Sequence, residues 1–143
     1  MTHYYFAYGS NMNHHQMADR CPKAKPVFAG FLSNYRPVMR NHADIEEAEE
    51  ERVCGVVWSV TDDCLKRLDV YEAVPSYYFR HQVRVERLPM GFTDGSLARE
   101  AHCWVYQMTL ENSRHYGCPH PVYVRGCQLG AKYFGVPFEF KMG

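Results

Sequence analysis

Apolar and polar positions along the chain predict five strands and three helices. His3 to Tyr8 is aromatic and apolar, as a buried first strand would be. Val27 to Met39 is β-type, with Pro26 and Pro37 as punctuation. Val53 to Val60 (VCGVVWSV) is almost continuously apolar and predicts a central strand covered on both faces. From Tyr77 to Leu88 the pattern alternates. Tyr77, Phe79, Val83 and Val85 fall on one side, and Arg80, Gln82, Arg84 and Glu86 on the other, which predicts a half-buried strand. Pro89 to Ser96 carries the turn residues Gly91 and Asp94-Gly95, so Ala101 to Met108 is expected to return and pair with that strand.

The helices are marked by their ends. Asn11 or Asn13 is placed to cap a short helix that stops near Cys21-Pro22. Thr61-Asp62-Asp63 is a helix start, with acids where the macrodipole favours them. Leu65 and Leu68 then share a face that Tyr71 continues, and Pro75 requires an end before it, which puts Glu72 at or just past the last turn. Pro121 opens a third helix running through Tyr123 to Phe134, closed by Gly135 and Pro137. Glu46 to Glu51 holds five glutamates in six positions and reads as a solvated loop or tip.

Composition narrows the classes. A chain of 143 residues without an internal repeat or low-complexity linker is expected to form a single domain over 1–143. Acidic and basic residues balance at 16 each, so no charge excess points to nucleic acid. No apolar run reaches membrane-spanning length and no export signal is visible, so a cytoplasmic location is expected. The six cysteines form no C-x-x-C pair and read as reduced thiols. Eleven tyrosines and eight phenylalanines point to a sheet-rich core or a pocket lined by rings with polar tips.

Three kinds of chemistry are open to these residues. His14-His15 and the group His115, Cys118, His120 match no common zinc spacing, so neither metal nor cofactor is expected. No G-x-S-x-G elbow is present, and buried, inert Cys is the default for the thiols. Glu72 is a lone carboxylate at a helix C-terminus among apolar and aromatic residues. Burial and the helix dipole both disfavour its charge and raise its pKa, as a general acid/base needs. The plain alternative is an exposed helix-end residue. Asp69, one turn earlier, either shares that site or caps local structure. At the N-terminus, strand, Gly9-Ser10-Asn11 turn and helix follow one another, an arrangement that leaves backbone N–H groups free to cradle an anion.

Three motifs carry a resemblance. YFAYGSNM (Tyr5 to Met12), LDVYEAVPSYYFR (Leu68 to Arg80), and Pro121-Val122-Tyr123 followed by Gly130 to Phe140 stand in the order seen in the γ-glutamylcyclotransferase family, which includes AIG2-like and BtrG-like members. Val53 to Trp58 is similar to a strand of that family. The resemblance implies an α+β fold: a small, mostly antiparallel β-barrel flanked by a few helices. It implies conversion of a γ-glutamyl amine or γ-glutamyl amino acid to 5-oxoproline and the free amine. Glu72 would be the single acid/base. Tyr5, Phe6, Ala7, Tyr8, Gly9, Ser10 and Asn11 would form the substrate-binding loop, with Tyr123 opposite. The only partner implied is a small-molecule γ-glutamyl substrate, with neither nucleic acid nor membrane, and an exposed apolar edge or helix would permit a homodimer. The alternative is a non-catalytic small-molecule binder of the same fold. The chain departs from the family in reading YGSNM for the commoner YGSNL, and in Ala73 where Gly often follows the glutamate. The stretch from about Pro89 to Pro119 matches least and is expected to shape substrate preference.

Overall fold

The computed structural model describes residues 2–114 and 117–142, with only the backbone for Lys141 and Met142. Its elements are β1 (Thr2–Ala7), a 3-10 turn (Ser10–Met12), α1 (His14–Arg20), β2 (Lys25–Met39), β3 (Ala43–Thr61), α2 (Asp62–Tyr71), β4 (Tyr78–Arg87), β5 (Glu100–Met108), α3 (Leu110–Ser113), α4 (Pro121–Tyr133) and β6 (Lys141–Met142). The strands run in the order β3-β1-β5-β4-β2, and β2 pairs again with β3, which closes a five-stranded barrel. Only the β1–β5 contact is parallel within that ring, so the expected mostly antiparallel barrel is what forms. The short β6 adds parallel to the far end of β2.

The strand expected at Val53–Val60 is the second half of β3. It pairs with β1 and β2, and its side chains are buried in two clusters, Val53 and Val57 in one and Val56, Trp58 and Val60 in the other, which is why it is apolar almost throughout. Val53, Val56, Val57 and Val60 are essentially inaccessible. The expected hairpin of β4 and β5 forms with continuous register from Tyr78↔Met108 to Glu86↔Glu100.

Three expectations need correction. The Glu46–Glu51 segment is not a loop but part of β3. Glu46 and Glu47 stay in register with Arg36 and Tyr35 of β2, and Glu46 accepts hydrogen bonds from Arg36 and Arg40. Arg36 on β2 and Arg40 just beyond its end thus offset the charge of Glu46. A bulge follows, in which Asn34 and Glu50 take positive φ (65° and 64°) and Asn34 Oδ1 accepts the Glu50 N–H. The start of β4 has the opposite phase to that expected: Tyr78 is 5% exposed and Phe79 is 39% exposed. Finally, Tyr71 does not continue the buried face of Leu65 and Leu68 but is 47% exposed, with an arginine stacked on its ring.

The helix ends are formed by the residues that mark them. Thr61 accepts the Cys64 N–H, and Asn13 Oδ1 accepts those of His15 and Gln16. Pro121 is the first residue of α4, His120 caps it, and Gly135 takes φ +68° beyond its end. Among the described residues no helix is long and apolar enough to cross a membrane. All six cysteines are free.

Candidate functional site

The turn after β1 is fixed from three sides. Asn13 caps α1 and also donates to the Gly126 carbonyl of α4, at 3.1 Å. Gly130 lets α4 approach the turn: a Cβ there would lie 2.5 Å from Asn13 N and Met12 C. Asn11 donates to the Tyr5 hydroxyl at 2.9 Å, so the turn is tied back to its own strand. The Arg20 guanidinium, at the end of α1, donates to Ser10 Oγ at 3.1 Å and also to Asn11 Oδ1. Ser10 and Asn11 are therefore buried and immobilised by hydrogen bonds.

Glu72 arrives from the other side. It is the C-cap of α2, and the chain leaves the helix through a Schellman motif. The Val74 N–H donates to the Asp69 carbonyl and the Ala73 N–H to that of Val70. This motif requires a left-handed residue after the cap, and Ala73 occupies it with φ +53°. The departure from glycine therefore leaves the backbone path intact.

Loop and glutamate face one cavity, lined by Tyr5, Tyr8, Gly9, Ser10, Asn11 and Glu72, with Ala43, Tyr78, Tyr106 and Tyr123 closing it. It holds about 290 Å3 of open space, counting its mouth. Phe6 and Ala7 do not line it. Their side chains are buried in the barrel core, and they serve as the strand that carries the turn.

Tyr123 projects from the first turn of α4, and its hydroxyl accepts the Ala43 N–H at 3.0 Å. The Tyr78 hydroxyl donates to the carbonyl of the same Ala43 at 2.6 Å. The first residue of β3 thus positions two tyrosines. Gly9 faces this pair: a Cβ there would lie 3.0 Å from that of Ala43 and 3.4 Å from the Tyr123 hydroxyl.

The electrostatics follow from burial. Glu72 is partly buried, and loss of solvent raises its pKa from an ordinary 4.5 to about 7, with the Arg20 charge opposing the rise. Burial pushes the hydroxyls of Tyr5, Tyr8, Tyr78 and Tyr123 well above their usual range, so all four are neutral. The cavity therefore holds one titratable carboxylate amid neutral polar groups.

Asp69 does not share this site. It accepts hydrogen bonds from the Tyr106 hydroxyl at 2.7 Å and Arg80 at 2.8 Å, and so fastens α2 to β4 and β5. Of the weighed metal candidates, His115 lies outside the described residues. Cys118 is exposed, His120 caps α4, and the His14 ring stacks on Tyr133. Among the described residues no group of three or more His, Cys, Asp or Glu is placed to hold a metal ion.

Arg20, Ala43, Tyr78 and Tyr106 were missed as site residues. Tyr78 lies within LDVYEAVPSYYFR, but its position falls in phase with the polar side of the alternating pattern, Arg80 and Gln82. Arg20 had no local signal, because its three acceptors lie on the turn and on α2.

Comparison with known proteins agrees with this geometry. The family model described as gamma-glutamyl cyclotransferase, AIG2-like, matches residues 5–124, a span that includes the turn, Glu72 and Tyr123. The gamma-glutamylcyclotransferase of Bos taurus is 30% identical over 149 residues, covering 96% of this chain and 74% of the relative. That of Homo sapiens is 29% identical, with the same coverage. A solved gamma-glutamyl cyclotransferase superposes with a TM-score of 0.80 at 26% identity, over 96% of this chain and 82% of that one. The closed barrel, the order of the motifs and these matches together make this chain a member of the γ-glutamyl cyclotransferase, AIG2-like family.

Proposed function

We propose that this protein is an enzyme that cyclises a γ-glutamyl amine or γ-glutamyl amino acid to 5-oxoproline and releases the free amine, with Glu72 as the proton shuttle. The observation that carries the proposal is the setting of Glu72. It is a partly buried carboxylate with its pKa near 7, on the wall of a cavity opposite a helix-initiating turn. Such a group accepts and returns a proton at neutral pH with little cost in either direction.

The steps balance without a further reactant. The Glu72 carboxylate takes one proton from the substrate's α-ammonium. The freed lone pair attacks the γ-carbonyl carbon, a C–N bond closes the five-membered ring, and the carbonyl π pair moves onto oxygen. The N–H groups at the start of the 3-10 turn have no partner within it and are suited to stabilise this oxyanion or the substrate carboxylate. Collapse restores the carbonyl and breaks the C–N bond to the leaving nitrogen, which takes the proton back from Glu72; the ring nitrogen then passes its second proton through the Glu72 carboxylate to the free amine, so the products are the neutral lactam and an ammonium ion. Neutral tyrosine hydroxyls on the surrounding walls hold the substrate folded, amine against carbonyl, and proximity supplies much of the acceleration.

The test is 5-oxoproline release from γ-glutamyl amino acids, γ-glutamyl amines and glutathione, with wild type beside Glu72→Gln. Turnover by wild type and a loss of at least about a hundredfold in the variant are expected. Undiminished turnover in the variant would remove Glu72 from the mechanism, and no turnover from any compound would overturn the activity.

A further inference from the structure

Beside the cavity lies an outer recess that the reaction above leaves unassigned. Ser10, Glu72, Tyr78 and Tyr123 line both spaces, so the two adjoin at the carboxylate. Beyond them the recess is walled by His42, Tyr71 and Tyr77 and holds about 530 Å3, counting its open mouth.

These walls are rings with polar edges. The His42 ring stands edge-on to Tyr77, with centroids 5.7 Å apart at 90°, and to Tyr123, at 5.0 Å and 82°. His42 Nδ1 and the Tyr77 hydroxyl are hydrogen-bonded at 3.0 Å. Burial lowers the His42 pKa from its ordinary 6.5, so the ring is neutral at neutral pH.

The charges in reach are unevenly signed. Arg20 already donates to Ser10, Asn11 and the Tyr71 hydroxyl, and it lies over the Tyr71 ring. On the negative side, Glu72 stands in the recess, and both it and Asp44 act on the Tyr77 hydroxyl. A second anion entering here would meet Glu72 and no uncommitted cation among the recess-lining residues.

Resting on the cyclotransferase reading, we propose that this recess is the leaving-group subsite and takes an amine with an aromatic or alkyl body and no carboxylate beside the scissile nitrogen. The rings supply dispersion and edge-to-face contact for such a body. An α-carboxylate at the same carbon would lose its hydration beside Glu72 without a paired charge in return.

A matched pair isolates the carboxylate: N-γ-glutamyl-tyramine and γ-glutamyl-tyrosine, with N-γ-glutamyl-butylamine and γ-glutamyl-alanine as a smaller pair. The tyramine compound is expected to exceed the tyrosine compound in kcat/KM by about tenfold or more. Equal or reversed ratios in the aromatic pair would overturn the subsite. So would turnover of the small pair alone, which would leave the cyclotransferase reading standing. Absence of 5-oxoproline from all four would overturn both. His42→Arg sets a guanidinium in the recess and is expected to shrink the tyramine-to-tyrosine ratio several-fold; an unchanged ratio would count against the assignment.

Discussion

The Arg20 guanidinium carbon lies 3.6 Å from the centroid of the Tyr71 ring, and the same side chain donates to that tyrosine's hydroxyl. One cation therefore ties the turn after β1 to the residue that precedes Glu72. Its charge lowers the Glu72 pKa against the larger effect of burial. Replacing it should release that restraint. In Arg20→Met the acid limb of the kcat/KM profile should move to higher pH, because the proposed mechanism needs Glu72 ionised to take the substrate's proton. Arg20→Lys should restore part of the shift. A pH–rate profile that falls in height without moving along the pH axis would mean that Arg20 only holds the turn together.

Glu72 also links stability to pH. Its folded pKa, about 7, lies above the ordinary 4.5, so the folded state keeps this proton to higher pH than the unfolded chain. The stabilisation it carries is complete below the unfolded value and is lost as pH rises through the folded one. Glu72→Gln should therefore be more stable than wild type at about pH 8, by on the order of 1–3 kcal/mol. The advantage should vanish near about pH 4. Urea denaturation at both pH values measures it, and a pH-independent difference would contradict the burial of the charge.

Ala73 holds a left-handed conformation, φ +53°, that its Cβ disfavours. Ala73→Gly relieves the strain but frees the unfolded chain, so the net gain should be about 0.5–1 kcal/mol. The Schellman hydrogen bonds of Ala73 and Val74 remain available to glycine. A lower thermal midpoint in the variant would show that the backbone is not strained there.

A methyl group at Gly9 would lie 3.0 Å from the Ala43 Cβ and 3.4 Å from the Tyr123 hydroxyl, so these neighbours must give by a few tenths of an ångström. Gly9→Ala is expected to shift the turn against the start of β3, at about 1 kcal/mol. Loss of at least about tenfold in kcat/KM, with circular dichroism unchanged, is the expected outcome. Wild-type kinetics in the variant would show that the approach of these two segments is not needed for turnover.

Much of the fold was legible because its signals are short in range. The Thr61 and Asn13 caps, Pro121 at a helix start and Gly135 beyond a helix end each act on backbone groups within one turn. The apolar run of β3 and the pairing of β4 with β5 were legible for a related reason: side-chain periodicity reports which faces are covered. The acidic run misled because the cations that pair with Glu46 lie outside it, Arg36 on β2 and Arg40 just beyond that strand's end. The phase of β4 misled because Tyr78 turns inward to reach the Ala43 carbonyl, a partner 35 residues away.

The sequence by itself therefore determined the turn after β1, the helix that ends at Glu72 and the helix that carries Tyr123. Their caps, breakers and periodicities are properties of neighbouring residues. Only the tertiary structure decided that these three pieces meet. It closed the barrel, set Arg20 against Tyr71 across 51 residues, and withdrew Glu72 from solvent far enough to bring its pKa near neutrality. A carboxylate's pKa depends on the whole dielectric and charge around it. That surrounding is assembled from segments whose distance along the chain says nothing of their distance in space.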